Sequence, residues 1–373
     1  MKRSLLVTAF MVVSMILAAC APAATPTEAP PPVVAQPTAV PPTAVPKGLL
    51  EGKNLSFVLF SFDGYQQGQG SWFKTLAEAE GATVTLIDGK ADAAIQLTAM
   101  EDAMATNPDG IVWHIVNGPA AVNAIKAAQE AGIPLVVTGS RPDPTTGATV
   151  PFVQLFDYEI AYEGGVAAAE WLKANKPGEK AKVVYFDRTG VVHCVNYRGD
   201  GFIAGIKSVM GADNVEIVFR DGVTASMDIS MQRMEDLLQS NPDFNILSGC
   251  GSTHTLGALA ALEAAGRGKA VDGVPQTEFI MSIDGTPDEL RRLLDPTSAL
   301  KAVLGLTPME NATKHLDTLK RVLSGELKPN DNITIPAPGH LMGASTTCEE
   351  INEYMTVEYK DVKGYEPLDC SKY

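Results

Sequence analysis

The feature that most constrains this chain is an internal repeat. Met100-Glu101-Asp102 is followed by Asn107-Pro108-Asp109, an apolar run and a helical pattern that closes at Gly132. Met234-Glu235-Asp236, Asn241-Pro242-Asp243 and Gly266 stand in the same order, each 134 positions after its counterpart. A lone tripeptide match can be chance, but an ordered set at one offset implies one supersecondary unit built twice. Each copy reads helix, tight N-P-D turn, buried strand, loop, Ala-rich helix and glycine stop.

The same order of elements extends on both sides of the repeat. The first copy is preceded by a strand at 55–60, a helix at 72–80 and a strand at 83–87, and followed by a strand at 133–138. The second is preceded by a strand at 182–186, a helix near 201–210 and a strand at 215–219, and followed by a strand at 279–283. Strands alternating with helices imply parallel sheets covered on both faces. The expectation is an α/β chain of two similar doubly wound, flavodoxin-like lobes of about 130 residues each. In such sheets ligands bind beyond the carboxyl ends of the strands, at the topological switch point. Two lobes facing one another enclose a cleft that can close by hinge motion.

The residues ahead of the repeat address the chain rather than build it. Lys2 and Arg3 form a basic start, and residues 5–17 are an apolar run too short to span a bilayer. Leu17-Ala18-Ala19-Cys20 resembles the bacterial lipobox. That implies a lipoprotein signal peptide at 1–19 and a lipidated Cys20, which places the protein outside the cytoplasm, anchored to the bacterial membrane. Residues 21–46 are dominated by Pro, Ala, Thr and Val, with Glu28 as the one acid and no base. Such a segment buries too little apolar surface to offset the entropy of ordering. At about 3.1 Å per residue it makes a tether, from Cys20 to residue 46, that reaches up to roughly 80 Å.

The formal charge is −15, and removal of Lys2 and Arg3 with the signal takes it to −17. No basic cluster offsets this, so nucleic acid is excluded as a partner class. Beyond Cys20 the cysteines are Cys194, Cys250, Cys348 and Cys370, an even number for an oxidising compartment, with three possible pairings. No C-x-x-C pair or Cys/His cluster points to a metal.

Four stretches carry a family resemblance. They are Ile133-Pro134-Leu135-Val136-Val137 leading to Arg141, Arg198-Gly199-Asp200-Gly201-Phe202, Leu256-Gly257-Ala258-Leu259, and Ile283-Asp284-Gly285-Thr286-Pro287. Here the sequence resembles the ribose- and galactose-type periplasmic sugar-binding proteins of ABC importers, over nearly all of residues 55 to about 327. The resemblance implies a type I periplasmic binding protein fold with a three-stranded hinge, near Asp157, 306–308 and 335–340. Lobe one then comprises residues 47–157 plus about 308–337, and lobe two 158–307 plus about 338–373 with the C-terminal tail. It implies that Arg141, Arg198 and Asp284 hold sugar hydroxyls. Arg offers a fixed fork of donors, and a carboxylate accepts from two hydroxyls. An apolar sugar face needs an aromatic platform, and Trp72 and Phe73 stand where the family places it, Trp72 being the better candidate.

The chain departs from the family at Ser140, where an aspartate is common, and at Gly251-Ser252, where asparagine–aspartate is common. It also has no glutamine within 305–307. These losses imply a ligand bulkier or more apolar than ribose, with His114, Asn117, Asp63, Tyr65 and Tyr158 as replacement contacts. His114 alternates within an apolar strand, as a core histidine also would. In a flavodoxin-like order the strands carrying Cys194 and Cys250 are neighbours, so the expected disulfides are Cys194–Cys250 and Cys348–Cys370.

The expected function is capture of a small polar solute, a sugar first, by a monomer without cofactor that delivers it to an ABC permease. The alternatives are a sensory receptor for a membrane kinase and a binder of a nucleoside or aromatic solute. An enzyme is not expected. Gly68-Gln69-Gly70 and Asp88 suggest a dinucleotide fingerprint, but Phe73 occupies the third glycine's place. No phosphate loop, H-E-x-x-H, G-x-S-x-G or calcium loop occurs.

Overall fold

The computed structural model describes residues 48–373 other than Asp63, Gly147, Phe156, Thr189, Gly190, Val192, His193, Thr224, Asn241 and Asp361. The signal segment, Cys20, the tether and candidate Asp63 therefore lie outside the described residues. The first half of the fold is β1 (Asn54–Leu59), α1 (Gly64–Ala79), β2 (Thr83–Asp88), α2 (Ala93–Ala105), β3 (Gly110–Ile115), α3 (Gly118–Glu130), β4 (Leu135–Gly139) and β5 (Phe152–Leu155). The second half opens with α4 (Asp157–Asn175), β6 (Ala181–Arg188), a π-helical turn (Cys194–Gly199) and α5 (Asp200–Met210). It continues through β7 (Val215–Val223), α6 (Met227–Gln239), β8 (Ile246–Gly249), α7 (Ser252–Ala264) and a short hairpin of β9 (Ala270–Val271) and β10 (Val274–Pro275). Then follow β11 (Phe279–Asp284), α8 (Pro287–Leu294), β12 (Leu300–Leu306), α9 (Pro308–Leu323), β13 (Thr334–Ala337), β14 (Gly339–Gly343) and α10 (Cys348–Glu358).

The strands form two six-stranded sheets, in the orders β2-β1-β3-β4-β5-β13 and β7-β6-β8-β11-β12-β14. Every pairing is parallel except that of β14 with β12. Each sheet thus has the doubly wound order, with its switch between the first and third strands. The chain passes from one sheet to the other between Leu155 and Asp157, between Leu306 and Pro308, and between Ala337 and Gly339.

Burial explains why the strands read as they do. All of β3 and all of β12 are buried, and strands covered on both faces read as nearly continuous apolar runs. Alternate residues still serve opposite faces. Leu55, Phe57 and Leu59 pack with Phe73 of α1 and with Ala312, Leu316 and Leu319 of α9. Val58 packs on the other face with Met100 of α2 and Ile125 of α3. The second sheet is likewise sandwiched between two buried clusters.

The repeat has a structural task. Asp109 accepts from the Asn54 amide at 2.8 Å and pairs with Lys53 at 2.8 Å, while Asp243 pairs with Lys182. The lysines hold both carboxyls below their ordinary range. In each lobe the aspartate of the N-P-D turn ties the start of that lobe's first strand.

One element differs from the sequence expectation. The first helix begins at Gly64, not near residue 72. Glycine costs helix stability, so the segment with Gly64, Gly68 and Gly70 reads as a loop. Its glycines are required by close packing. A Cβ at Gly70 would stand 2.9 Å from the Leu59 side chain, and one at Gly68 would stand 3.2 Å from Pro308 and 3.3 Å from the Tyr359 ring.

Candidate functional site

Both switch points open onto one cavity of about 340 Å³, lined by both lobes. Lobe one supplies Phe60, directly after β1, Tyr65 and Gln66 in the first turn of α1, and His114 in β3. Lobe two supplies Arg188 at the end of β6, Arg198 in the π-helical turn, Gly251 to His254 at the start of α7, and Asp284 and Thr286 after β11.

On lobe one a buried amide sets the switch point. Gln96 donates to the His114 carbonyl at 2.6 Å and the Leu59 carbonyl at 3.2 Å, and accepts from the Val116 amide at 2.9 Å. This fixes the ends of β1 and β3. His114 Nδ1 lies 3.0 Å from Gln66 Nε2, and its ring meets the edge of the Phe60 ring at 5.4 Å. The Arg188 guanidinium, from the opposite lobe, stands 4.7 Å from the Phe60 ring centre.

On lobe two the polar groups converge on Arg198, which is 5% exposed. Its Nε donates to Asp157 at 3.1 Å, and its Nη1 donates to the Cys250 carbonyl at 2.6 Å and to Asp284 at 3.5 Å. Burial works against the charge, but Asp157 and then Asp284 outweigh it, and the group titrates above its ordinary range. Asp284 accepts at 2.8 Å from both the Ser252 amide and its hydroxyl. Its backbone has φ 132°, a conformation held under strain. The Tyr359 hydroxyl donates to the Asp284 carbonyl at 3.2 Å, and the Tyr354 hydroxyl to the Leu306 carbonyl at 2.6 Å. The C-terminal segment thereby supports the site from behind. Burial, reinforced by the nearby Asp284, pushes the Glu289 carboxyl up, and Glu289 accepts from the Thr286 amide and hydroxyl. Burial pushes His254 down to about 4, and its neutral ring donates Nε2–H to the Val223 carbonyl.

The structure brings together Arg198, Asp284, Tyr65 and His114 of the candidates named above. It places five elsewhere. Phe73 is fully buried and packs edge-on against Phe57 at 5.2 Å. Trp72 packs against the same core, and its indole donates to the Glu358 carbonyl at 2.8 Å. Both sit in mid-helix because α1 starts eight residues before Trp72. Arg141 donates to Thr334 at 2.7 Å and to Asn332, with its guanidinium 5.2 Å from the Phe152 ring centre. Asn117 caps α3 by accepting from the Ala120 amide at 3.1 Å. Tyr158 is 37% exposed in the first turn of α4, outside the lining. None of the five lines this cavity, where the sequence reading expected them. Phe60, Gln66 and Arg188 were not singled out from sequence, although Phe60 follows β1, Arg188 ends β6 and Gln66 lies in the helix turn that follows β1, where the switch-point rule points. The disulfides are Cys194–Cys250, with Cα atoms 5.2 Å apart, and Cys348–Cys370, 5.6 Å apart. Among the described residues no cluster of His, Cys, Asp and Glu is arranged to hold a metal ion, and no helix is long and apolar enough to cross a membrane.

Comparison with known proteins agrees with this fold. The chain is 24% identical over 250 residues to the ribose import binding protein RbsB of Escherichia coli K12, covering 67% of this chain and 77% of that one. It is 27% identical over 253 residues to the D-apiose import binding protein of Paraburkholderia graminis, covering 65% and 74%. Among solved structures, a galactofuranose binding protein superposes with a TM-score of 0.68 at 19% identity, over 82% of this chain and 100% of that one. An ABC sugar transporter subunit from Rhodobacter sphaeroides superposes with a TM-score of 0.64 at 22% identity, over 79% and 99%. The fold is that of the type I periplasmic binding proteins. Residues 56–327 match the family described as the periplasmic binding protein domain, and the chain belongs to that family.

Proposed function

We propose that this protein is an extracytoplasmic, lipid-anchored solute-binding component of an ABC importer that captures one neutral, hydroxyl-rich small molecule, a sugar or polyol. The observation that carries this reading is Arg198 held between Asp157 and Asp284 at the cavity wall, with Phe60, Gln66 and His114 facing it from the other lobe. Charged donors and acceptors at hydroxyl spacing bind polyols through charge-assisted hydrogen bonds, and the Phe60 ring offers a platform for a sugar's C–H face. The charges lining and backing the cavity balance: Arg188 and Arg198 stand against Asp157 and Asp284. An anionic or cationic ligand would leave that balance unmatched, whereas an uncharged one preserves it. A cavity of about 340 Å³ lies at the small end of ligand pockets and suits a monosaccharide.

The relatives named for ribose and D-apiose import, and structural neighbours described with bound myo-inositol and allitol, support the same class. The lobes pivot at the three sheet crossovers. Contacts from both lobes favour the closed form, because the open form offers only one lobe's share. The Leu17-Ala18-Ala19-Cys20 sequence supports a lipid anchor at Cys20, and the Pro-rich segment supports a spacer between membrane and lobes.

Calorimetry of the chain from Lys47 onward with D-ribose, D-apiose, myo-inositol, allitol and D-ribose 5-phosphate tests the cargo. At least one neutral compound is expected to bind in the micromolar range or tighter, with no heat from the phosphate. Binding of the phosphate alone, or of nothing in the panel, overturns the reading. Labelling with a radioactive fatty acid that survives Cys20→Ala overturns the anchor.

A further inference from the structure

The Cys194–Cys250 disulfide stands apart from the four lobe cores. With Val191 it forms a small separate cluster, and both cysteines line the cavity while being 1% and 3% exposed. Cys194 opens the π-helical turn that carries Arg198, and Cys250 follows β8 and precedes the Ser252 that holds Asp284. Arg198 donates to the carbonyl of Cys250 itself, at 2.6 Å. One covalent link therefore joins the loop after β6 to the loop after β8, at the residue to which the ligand-facing guanidinium is tied.

The turn needs such a link. π-helical turns are rare and occur mostly at functional sites, and this one is not continuous with the β6 ladder. Its outer side is held by Arg220, which donates to the Val195 carbonyl at 2.9 Å and to Asp187 and Asp200 at 2.7 Å each. Arg220 is 22% exposed and works on the face away from the cavity. On the cavity side the disulfide is the covalent restraint.

We propose that Cys194 and Cys250 are a positioning pair for the ligand site: the disulfide presets Arg198 against Asp157 and Asp284, so ligand affinity and the oxidation state of this one bridge are thermodynamically coupled. The coupling rests on the solute-binding reading above; the positioning of the turn does not. Reduction by glutathione takes two electrons and two protons, leaves two thiols and converts two glutathiones into one glutathione disulfide. The loosened turn then has to be ordered again by the ligand, which lowers affinity. Coupling is reciprocal, so the bound ligand makes the bridge harder to reduce.

Three measurements on the chain from Lys47 onward test this. In the ligand-free protein, backbone amide exchange at residues 194–200 is expected to quicken at least tenfold in C194A/C250A and to stay unchanged in C348A/C370A. For whichever of D-ribose, D-apiose, myo-inositol or allitol binds the oxidised protein, affinity is expected to fall at least tenfold in C194A/C250A and to hold in C348A/C370A. In wild-type protein equilibrated with glutathione buffers, saturation with that compound is expected to lower the potential of Cys194–Cys250 by about 30 mV per tenfold of that affinity ratio, leaving Cys348–Cys370 unmoved. A bridge that only stabilises the fold shifts the melting temperature and neither the affinity nor the potential, and that result overturns the proposal. The potential is read on wild-type chain, so it decides the matter even if C194A/C250A fails to fold. If nothing in the panel binds, the cargo reading falls, and unchanged exchange at 194–200 overturns the positioning by itself.

Discussion

Glu358 links the C-terminal helix to lobe one, and its charge state gives the sharpest test of the energetics around the crossovers. Its carboxylate accepts from the Met309 amide at 2.9 Å, at the start of α9, and its carbonyl accepts from Trp72 at 2.8 Å. Two effects compete. A helix N-terminus favours a negative group by about 0.3–1 kcal/mol. Burial at 6% exposure disfavours the charge, and the nearby Glu310 adds to that. Burial wins, and the carboxyl is pushed up to about 7 from an ordinary 4.5. A folded value above the unfolded one means the fold binds this proton more tightly. The associated stability is then full below about pH 4.5 and lost as pH rises to 7. At about 1.4 kcal/mol per unit the loss is about 3 kcal/mol. Glu358→Gln keeps a carbonyl acceptor for Met309 and removes the titration. The variant should match wild type near pH 4.5 and exceed it by about 3 kcal/mol at pH 8, or roughly 6 °C in melting temperature for a chain of this size. His254 and His315, both pushed down to about 4 by burial, destabilise the fold as pH falls from 6.5. They do so equally in both proteins and cancel in the difference. Scanning calorimetry from pH 4.5 to 8 reads the difference directly. Parallel profiles, or a variant less stable at pH 8, would show that the helix terminus rather than burial sets the carboxylate's energy.

Other perturbations have expected outcomes. Arg198→Ala removes the partner of Asp157 and leaves that buried carboxylate uncompensated, so chemical denaturation should show a loss of about 3–5 kcal/mol. Ligand affinity should fall in the same variant by about 1.5–3 kcal/mol, and unchanged calorimetry would place the site elsewhere. Phe60→Ala should weaken binding about tenfold through loss of the ring platform, whereas Phe73→Leu should lower stability without changing affinity. Replacing Cys348 and Cys370 by Ser frees a 22-residue separation and should cost about 3 kcal/mol by the chain-entropy relation, read from the denaturation midpoint.

The fold was legible in the sequence because parallel sheets impose long-range regularity on local pattern. Strands 110–115 and 300–306 are covered on both faces and so read as nearly continuous apolar runs, interrupted by His114 and Lys301. The aspartates of the two N-P-D turns recur for a reason that needs no ligand, since each ties the start of its lobe's first strand. What local pattern misses is where a helix starts when its glycines serve packing. The α1 register slipped because Gly68 and Gly70 penalise a helix in isolation, while the gain from approaching Pro308 and Leu59 is visible only in three dimensions.

That slip explains much of what the sequence failed to show at the site. With α1 starting near residue 72, its first turn would carry Trp72 and Phe73 to the cleft; starting at Gly64, it carries Tyr65 and Gln66 there instead. Arg141 stays off the cavity lining for a different reason. A guanidinium is claimed by whichever acceptors it meets, and Thr334 opens the returning strand β13 with Asn332 just ahead of it, some 190 residues on in sequence. Arg198 and Asp284 are drawn to the cavity because their partners are local to the same sheet edge: Asp157 starts α4, Cys250 follows β8 and Ser252 starts α7. Lobe two therefore assembles its polar half from loops of one sheet together with Asp157 at the crossover between the lobes. Lobe one contributes a ring, an amide and an imidazole, with Gln66 against the imidazole and Gln96 on the main-chain carbonyl of the same histidine. The strained backbone of Asp284 belongs to the preassembled half, where Ser252, Arg198 and Tyr359 together over-determine it. A motif search finds the side chain of Asp284, but the strain that aims it is distributed over three other loops and has no signature in I-D-G-T-P.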